Sequence, residues 1–80
     1  MVIKVLGSGC SNCAKLEALA RQASDQLGLD AEILKVTDMA EIMGYGVMST
    51  PALVVDEELK SSGRVPKLDE VVSILSRSAG

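Results

Sequence analysis

The chain has 80 residues, of which 48% are hydrophobic and 24% are charged, and its formal net charge is −3 at pH 7. This length allows one compact domain, residues 1–80, and is too short for two. An acidic chain with a single aromatic residue, Tyr45, lacks the basic surface and stacking rings that nucleic acids and anionic membranes require, so we expect neither partner. The absence of histidine excludes imidazole-based catalytic triads and histidine-rich zinc sites.

The beginning of the chain gives an expectation for its location. No apolar run approaches the roughly 18 residues that a membrane-spanning helix needs. Residues 1–6 are too few for the apolar region of a signal peptide. We therefore expect a cytoplasmic protein, in which paired cysteines are more often catalytic or metal-binding than structural.

Seven predicted elements follow one another in the order β-α-β-α-β-β-α. The β-branched run Val2–Leu6 predicts a first strand, which Gly7 ends. A helix is predicted over Ser11–Leu27, with Gly28 at the position of a left-handed C-terminal cap. The apolar residues of this helix recur at helical spacing: Leu16, Leu19, Ala20, Ala23 and Leu27.

A second strand and a short second helix come next. Residues 31–36 predict the strand, and Asp38 with Glu41 three residues later predicts the start of the helix. Gly44 and Gly46 should end it. We expect the buried face of this helix to consist of Met39, Ile42 and Met43.

The last part of the chain predicts a hairpin and a third helix. Residues 52–55 read as a strand, an acidic turn at 56–58 follows, and residues 59–62 form the antiparallel partner. Pro66 introduces the last helix, and residues 76–80 should fray. Its apolar positions are Leu68, Val71, Val72 and Leu75. The first two strands, joined by a crossover helix, should be parallel, so the expected fold is α/β, a four-stranded mixed sheet flanked by helices.

Both cysteines lie in the sequence Cys10-Ser11-Asn12-Cys13, between the first strand and the first helix. Residues three apart in the first turn of a helix lie about 5–6 Å apart on one face, close enough for a disulfide. Free backbone N–H groups and the helix dipole stabilise a thiolate there, so the pKa of Cys10 should fall below that of a free cysteine. We therefore expect Cys10 to attack a partner disulfide and the more buried Cys13 to resolve the mixed disulfide.

Other uses of the cysteine pair remain open at this point. A purely structural disulfide closing so short a loop would add only roughly 2 kcal/mol of stability. Two thiolates could instead bind Cu(I) in linear coordination and make the protein a copper carrier, whereas a closed zinc site needs more ligands than the pair supplies. The pair could also serve a redox-regulated interaction module without turnover, or have no function.

Three features of the sequence together carry a family resemblance. They are residues 9–13 after the first strand, Thr50-Pro51 before the third strand, and Gly63 before the last helix. The chain resembles, over residues 2–75, the minimal thioredoxin and glutaredoxin fold, in particular the compact redox-active disulfide proteins of bacteria and archaea. The resemblance implies a thiol–disulfide oxidoreductase. We expect this protein to be a monomer without an organic cofactor or a metal. A flavoprotein disulfide reductase of the thioredoxin-reductase type would reduce its disulfide after each cycle, and disulfide-containing client proteins would be its substrates.

The resemblance also implies roles for residues away from the cysteines. The proline before the third strand is typically cis in this family and packs beside the dithiol, so a cis Pro51 is expected. Thr50 would offer its backbone to an extended substrate segment, and Gly63 would lie in a turn facing the site. Independently of the resemblance, Tyr45 and Met48 are candidates for contact with a partner protein, because they lie in an apolar, glycine-punctuated loop.

The chain departs from the thioredoxin pattern around its cysteines. Thioredoxins usually carry Trp before the first cysteine and Gly-Pro between the two, where this chain has Gly9 and the loop residues Ser11 and Asn12. An ungapped match puts Lys4 where thioredoxins hold a buried acid that helps to deprotonate the second cysteine. We expect the redox poise to differ from that of thioredoxins with Gly-Pro at these positions.

Overall fold

The structure is a computed structural model, and it describes residues 1–7, 11–47 and 49–79. The elements within these ranges are β1 (Val2–Leu6), α1 (Ser11–Leu27), β2 (Glu32–Val36), α2 (Met39–Gly44), β3 (Ala52–Val55), β4 (Glu58–Ser62) and α3 (Leu68–Ala79). The four strands form one mixed sheet in the order β2-β1-β3-β4. The predicted α/β architecture and the order of its elements are therefore confirmed.

Strand β1 lies in the middle of the sheet, where it pairs in parallel with β2 and antiparallel with β3. Strands β3 and β4 form a hairpin whose two turn residues, Asp56 and Glu57, have φ values of 49° and 70°. Positive φ at both positions is typical of the two-residue turns that match the twist of a hairpin. The turn is thus shorter than predicted, and β4 begins at Glu58 rather than at residue 59.

Alternating residues of the strands bury apolar side chains on both faces of the sheet. The larger cluster packs the sheet against α1 and α3 and contains Ile3, Val5, Leu16, Ala20, Ala23, Leu53, Val55, Val71 and Leu75. The smaller cluster contains Leu6, Val36, Ile42, Val47, Ala52 and Val54, with Tyr45 packed against it. Because β1 supplies residues to both clusters, its carboxyl end is held firmly where the chain approaches the cysteines.

Helix α2 begins as predicted but buries less than predicted. Asp38 caps its amino end, where the carboxylate accepts a hydrogen bond from the Ala40 N–H at 2.8 Å. Ile42 is buried, whereas Met39 and Met43 are 59% and 68% exposed. The prediction that all three form a buried face is therefore wrong for the two methionines, because the smaller cluster takes only Ile42 from this short helix.

Helix α3 continues to Ala79, so the prediction that the chain frays from residue 76 is wrong for residues 76–79. Side-chain contacts one turn apart support this end: the Arg77 guanidinium donates to Ser73 Oγ at 3.2 Å, and Ser78 Oγ donates to the Ile74 carbonyl at 3.0 Å. A helix rather than a strand is thus the last element of the described chain. Within the described ranges, no helix is both long and apolar enough to cross a membrane.

Candidate active site

Cys13 lies in the first turn of α1, where it is buried and disulfide-bonded. Ser11 and Asn12 are exposed and begin the same helix, so they belong to the helix and not to a loop. Three further predicted site residues, Gly9, Cys10 and Met48, lie outside the described residues. Helix α1 is described in full, and its first turn carries no acidic side chain. The positive end of its dipole is therefore not neutralised by a carboxylate of the helix itself.

Gly7 brings the end of β1 against Cys13. A Cβ on Gly7 would overlap the Cys13 sulfur, and it would lie 3.5 Å from Thr50 Cβ. Only glycine leaves room for the sulfur at this position. Cys13 and Thr50 therefore meet at the end of the central strand, although they are far apart in the sequence.

Pro51 and Gly63 lie next to this meeting point. The Thr50–Pro51 peptide bond is cis, and Pro51 is buried. The Pro51 carbonyl accepts a hydrogen bond from the Gly63 N–H at 2.9 Å. Gly63 has a φ of +76°, and a Cβ there would lie 2.5 Å from Ser49 Oγ. The fold thus brings together four of the predicted site residues: Cys13, Thr50, Pro51 and Gly63.

A groove of about 350 Å³ extends from Thr50 along α2. Its walls are mainly apolar and consist of Met39, Ile42, Met43, Val47, Ser49 and Thr50. The exposed thioethers of its two methionines can adapt to side chains of different shapes. Because Thr50 contributes both to the groove and to the surroundings of Cys13, a chain bound in the groove would pass close to the cysteine.

Tyr45 and Lys4 lie on the sheet face of the smaller cluster and contact Glu57 of the hairpin turn. The hydrogen bonds that the Lys4 ammonium donates to Glu57 and, second, to Tyr45 raise the pKa of Lys4. The Lys4 ammonium, followed by the Tyr45 hydroxyl, lowers the pKa of Glu57 by hydrogen bonding. Both groups are therefore ionised at neutral pH, and Lys4 cannot act as a base.

The described residues contain no cluster of three or more His, Cys, Asp or Glu side chains that could hold a metal ion. The residues that the structure places next to Cys13 are Gly7 and Thr50, and neither carries a carboxylate or an imidazole.

Comparison with known proteins identifies the family of the chain. A family model described as a thioredoxin domain matches residues 1–76. The chain belongs to the thioredoxin-domain family. A thioredoxin of Methanothermobacter thermautotrophicus is 46% identical to it over 76 residues, which are 95% of this chain and 99% of that protein. A thioredoxin of Methanocaldococcus jannaschii is 37% identical over 71 residues, 89% of this chain and 81% of that protein.

These matches confirm the resemblance based on the cysteine motif and Thr50-Pro51: the chain is a small thioredoxin-like redox protein. Two residues of its candidate site were not singled out from the sequence. Gly7 was assigned only to the end of a strand, although its place between β1 and the cysteines was a signal for close packing. Nothing in the sequence indicated the contact between Ser49 and Gly63, because their approach depends on the hairpin between them.

Proposed function

We propose that this thioredoxin-like protein is a thiol–disulfide oxidoreductase in which Cys10 attacks the disulfide of a client protein and Cys13 resolves the mixed disulfide. The main support is the disulfide-bonded Cys13 in the first turn of α1, next to Thr50 and the Thr50–Pro51 bond. A sulfur at this end of a helix is close to unpaired backbone N–H groups, which favour its anionic form. A nearby sulfur can therefore leave as a thiolate when its disulfide is broken.

The proposed cycle transfers two electrons to the client. The Cys10 thiolate attacks one client sulfur, the client disulfide breaks, and the other client sulfur leaves as a thiolate. The Cys13 thiolate then attacks the Cys10 sulfur, forms the Cys10–Cys13 disulfide and releases the second client sulfur. The client disulfide has been reduced to two thiols, and the protein dithiol has been oxidised to a disulfide.

Cys13 must lose its proton before the second step, and Lys4 does not take it. The Lys4 ammonium is held by Glu57 and Tyr45, and its raised pKa keeps it protonated. The client thiolate released in the first step forms close to Cys13 and has the basicity of a free thiol. We therefore assign the proton of Cys13 to this thiolate or to water.

Thr50 and the groove beside it would hold the client. An extended segment next to the client disulfide can bind the backbone of Thr50, as a strand binds to the edge of a sheet. An apolar side chain of that segment would lie between Met39 and Met43, whose thioethers are exposed. Gly63 would keep this side of the site open, because any side chain there would crowd Ser49.

The oxidised protein needs a source of two electrons to act again. We propose a flavoprotein disulfide reductase of the thioredoxin-reductase type, which would reduce the Cys10–Cys13 disulfide by the reverse exchange. The cytoplasm is the compartment in which such a reductase would keep the dithiol available.

Turnover of a defined disulfide by cysteine variants tests this proposal. With insulin and dithiothreitol as the reductant, wild-type protein should accelerate insulin reduction, and Cys10→Ser should abolish the acceleration. Cys13→Ser should instead form a stable one-to-one mixed disulfide with a peptide disulfide, detectable by mass spectrometry. Wild-type protein that reduces no disulfide, or a fully active Cys10→Ser variant, would refute the proposal.

Metal titration separates this function from that of a copper carrier. A carrier would bind Cu(I) tightly and stoichiometrically under reducing conditions without disulfide turnover. An interaction module would show an affinity for its partner that depends on oxidation, again without turnover. Sustained reduction of insulin by catalytic amounts of protein therefore excludes both alternatives.

A further inference from the structure

Three side chains from distant parts of the chain form a closed set of contacts, which we call the Lys4–Tyr45–Glu57 cluster. Lys4 Nζ donates to Tyr45 OH at 2.7 Å and to Glu57 Oε1 at 2.6 Å. The Tyr45 hydroxyl donates to Glu57 Oε2 at 2.8 Å. The Lys4 nitrogen also lies 5.4 Å from the centre of the Tyr45 ring, within the range of a cation–π contact. Each member thus contacts both others and joins β1, the end of α2 and the β3–β4 turn.

Lys4, at the centre of the cluster, is more shielded from solvent than its carboxylate partner. The Lys4 side chain is 21% exposed, whereas that of Glu57 is 65% exposed. Tyr45 covers the lysine from one side and packs against the smaller apolar cluster. The contacts of Tyr45 therefore have a defined geometry, which long and fully solvated ion pairs lack.

Helix α2 depends on Tyr45 because it has few other contacts with the sheet. It is described in full, has only six residues, and Ile42 is its buried residue. A helix of this length is not stable by itself, so tertiary contacts must hold it. Tyr45 follows the helix directly, and its N–H donates to the Ile42 carbonyl at 3.2 Å. Fixing Tyr45 to Lys4 and Glu57 therefore fixes the end of the helix.

The position of this helix end decides where the client-binding residues lie. Gly46 and the buried Val47 follow Tyr45, and Ser49 and Thr50 lead from there to β3. At its other end this connection is tied to the sheet, because Gly63 donates to the Pro51 carbonyl and Ala52 pairs with Leu6. At the beginning of the connection, Tyr45 has the corresponding role, because its hydroxyl contacts Lys4 and Glu57.

We propose that the Lys4–Tyr45–Glu57 cluster is a positioning device for client binding, with Tyr45 as the positioning residue. It holds the connection between α2 and β3, so that the Thr50 backbone and the methionines of the groove are already arranged for an extended client segment. Such preorganisation lowers the conformational entropy lost on binding, and it improves affinity without changing the sulfur chemistry. The inference rests on the proposed function, because it assigns a role within client binding.

Kinetics with a large and a small disulfide test this inference. Tyr45→Phe removes the shared hydroxyl and keeps the ring, and Glu57→Gln removes the charge and keeps the shape. Glu58→Gln is the matched control, since it makes the same change one residue further along, where the carboxylate pairs with Lys60 at 2.9 Å. We expect both cluster variants to raise KM for insulin about threefold to tenfold with kcat nearly unchanged, because binding is affected and chemistry is not. All three variants should reduce a small aromatic disulfide at the wild-type rate.

Backbone amide exchange gives a second readout that does not depend on turnover. Faster exchange at Gly46, Val47, Ser49 and Thr50 in the cluster variants, with wild-type exchange in Glu58→Gln, would support the inference. An unchanged KM for insulin in both cluster variants, or an equal rise in Glu58→Gln, would overturn it. Wild-type protein that reduces neither disulfide would refute the proposed function instead, and slower or unchanged exchange at these amides would separately refute the positioning role.

Discussion

Gly7 and the Cys13 sulfur lie so close together that residue 7 has no room for a side chain, because a Cβ there would overlap Cys13 Sγ. We predict that Gly7→Ala destabilises the protein by about 1–3 kcal/mol, the usual cost of overpacking a filled site. It should also slow insulin reduction, because the displaced sulfur is the one that resolves the mixed disulfide in the proposed cycle. Urea unfolding and the insulin assay measure the two effects.

Gly28 provides the control for this prediction. Gly7 and Gly28 both have a positive φ, +153° and +64°, but no atom lies within 4 Å of a Cβ built on Gly28. Gly28→Ala should therefore have only the backbone cost of roughly 1–2 kcal/mol and should leave turnover unchanged. If both alanine variants turned over insulin equally fast, the contact between Gly7 and Cys13 would have no role in the reaction.

Gly63 should tolerate alanine better when Ser49 is shortened. A Cβ on Gly63 would lie 2.5 Å from Ser49 Oγ but 3.6 Å from Ser49 Cβ, which is an ordinary contact distance. We expect Gly63→Ala to cost roughly 1–2 kcal/mol for the positive φ alone and more for the crowding. In the Gly63→Ala background, Ser49→Ala should recover about 0.5–1 kcal/mol of the lost stability, measured as the coupling energy of a double-mutant cycle. Strictly additive effects would show that the two residues do not meet in solution.

Replacing Ser61 by alanine should stabilise the protein. It is buried on β4 opposite Leu53, and its hydroxyl has no hydrogen-bond partner among the described residues. An unsatisfied buried hydroxyl opposes folding, so Ser61→Ala should raise the free energy of unfolding by about 1 kcal/mol. The exposed neighbour Ser62 is the control, and its replacement by alanine should change stability by less than about 0.5 kcal/mol. A loss of stability in Ser61→Ala would mean that the hydroxyl has a partner in solution.

Acid should destabilise the protein below about pH 4.5, the usual pKa of the glutamates concerned. Three glutamates accept hydrogen bonds that lower their pKa in the folded protein. The donors are Lys35 and Arg21 for Glu17, Lys4 and Tyr45 for Glu57, and Arg64 for Glu70. Because the unfolded chain binds protons first, this stabilisation is complete above the unfolded pKa and is lost as the pH falls through the lower folded values.

Urea unfolding at several pH values checks this dependence. Glu57→Gln should reduce the decline in stability, because one of the three carboxylates no longer titrates. High salt should reduce it further, since these pairs are partly solvated and therefore screened. Stability that stays constant or rises as the pH falls from about 5 to about 3 would contradict the assignment.

Much of the fold was predictable because it depends on neighbours in the sequence. The bounds of β1, α1 and β3 agree with their predictions, since helical and strand spacing of apolar residues and the breaks at Gly7 and Gly28 are local signals. The cap at Asp38 is local as well. For the candidate site, the sequence predicted Cys13 in the first turn of α1, and the family resemblance added Thr50 and a cis Pro51 beside it.

Contacts between distant segments decided the rest. Periodicity marks Met39 and Met43 as apolar positions on one side of α2, but it cannot say that the sheet covers only Ile42. Lys4 and Glu57 are 53 residues apart, so no local pattern could pair them. The sequence by itself thus determined which segments form strands and helices, and that Cys13 lies in the first turn of α1. Only the tertiary structure decided which surfaces are covered and which residues meet Cys13 and Tyr45, because burial depends on the packing of the whole chain.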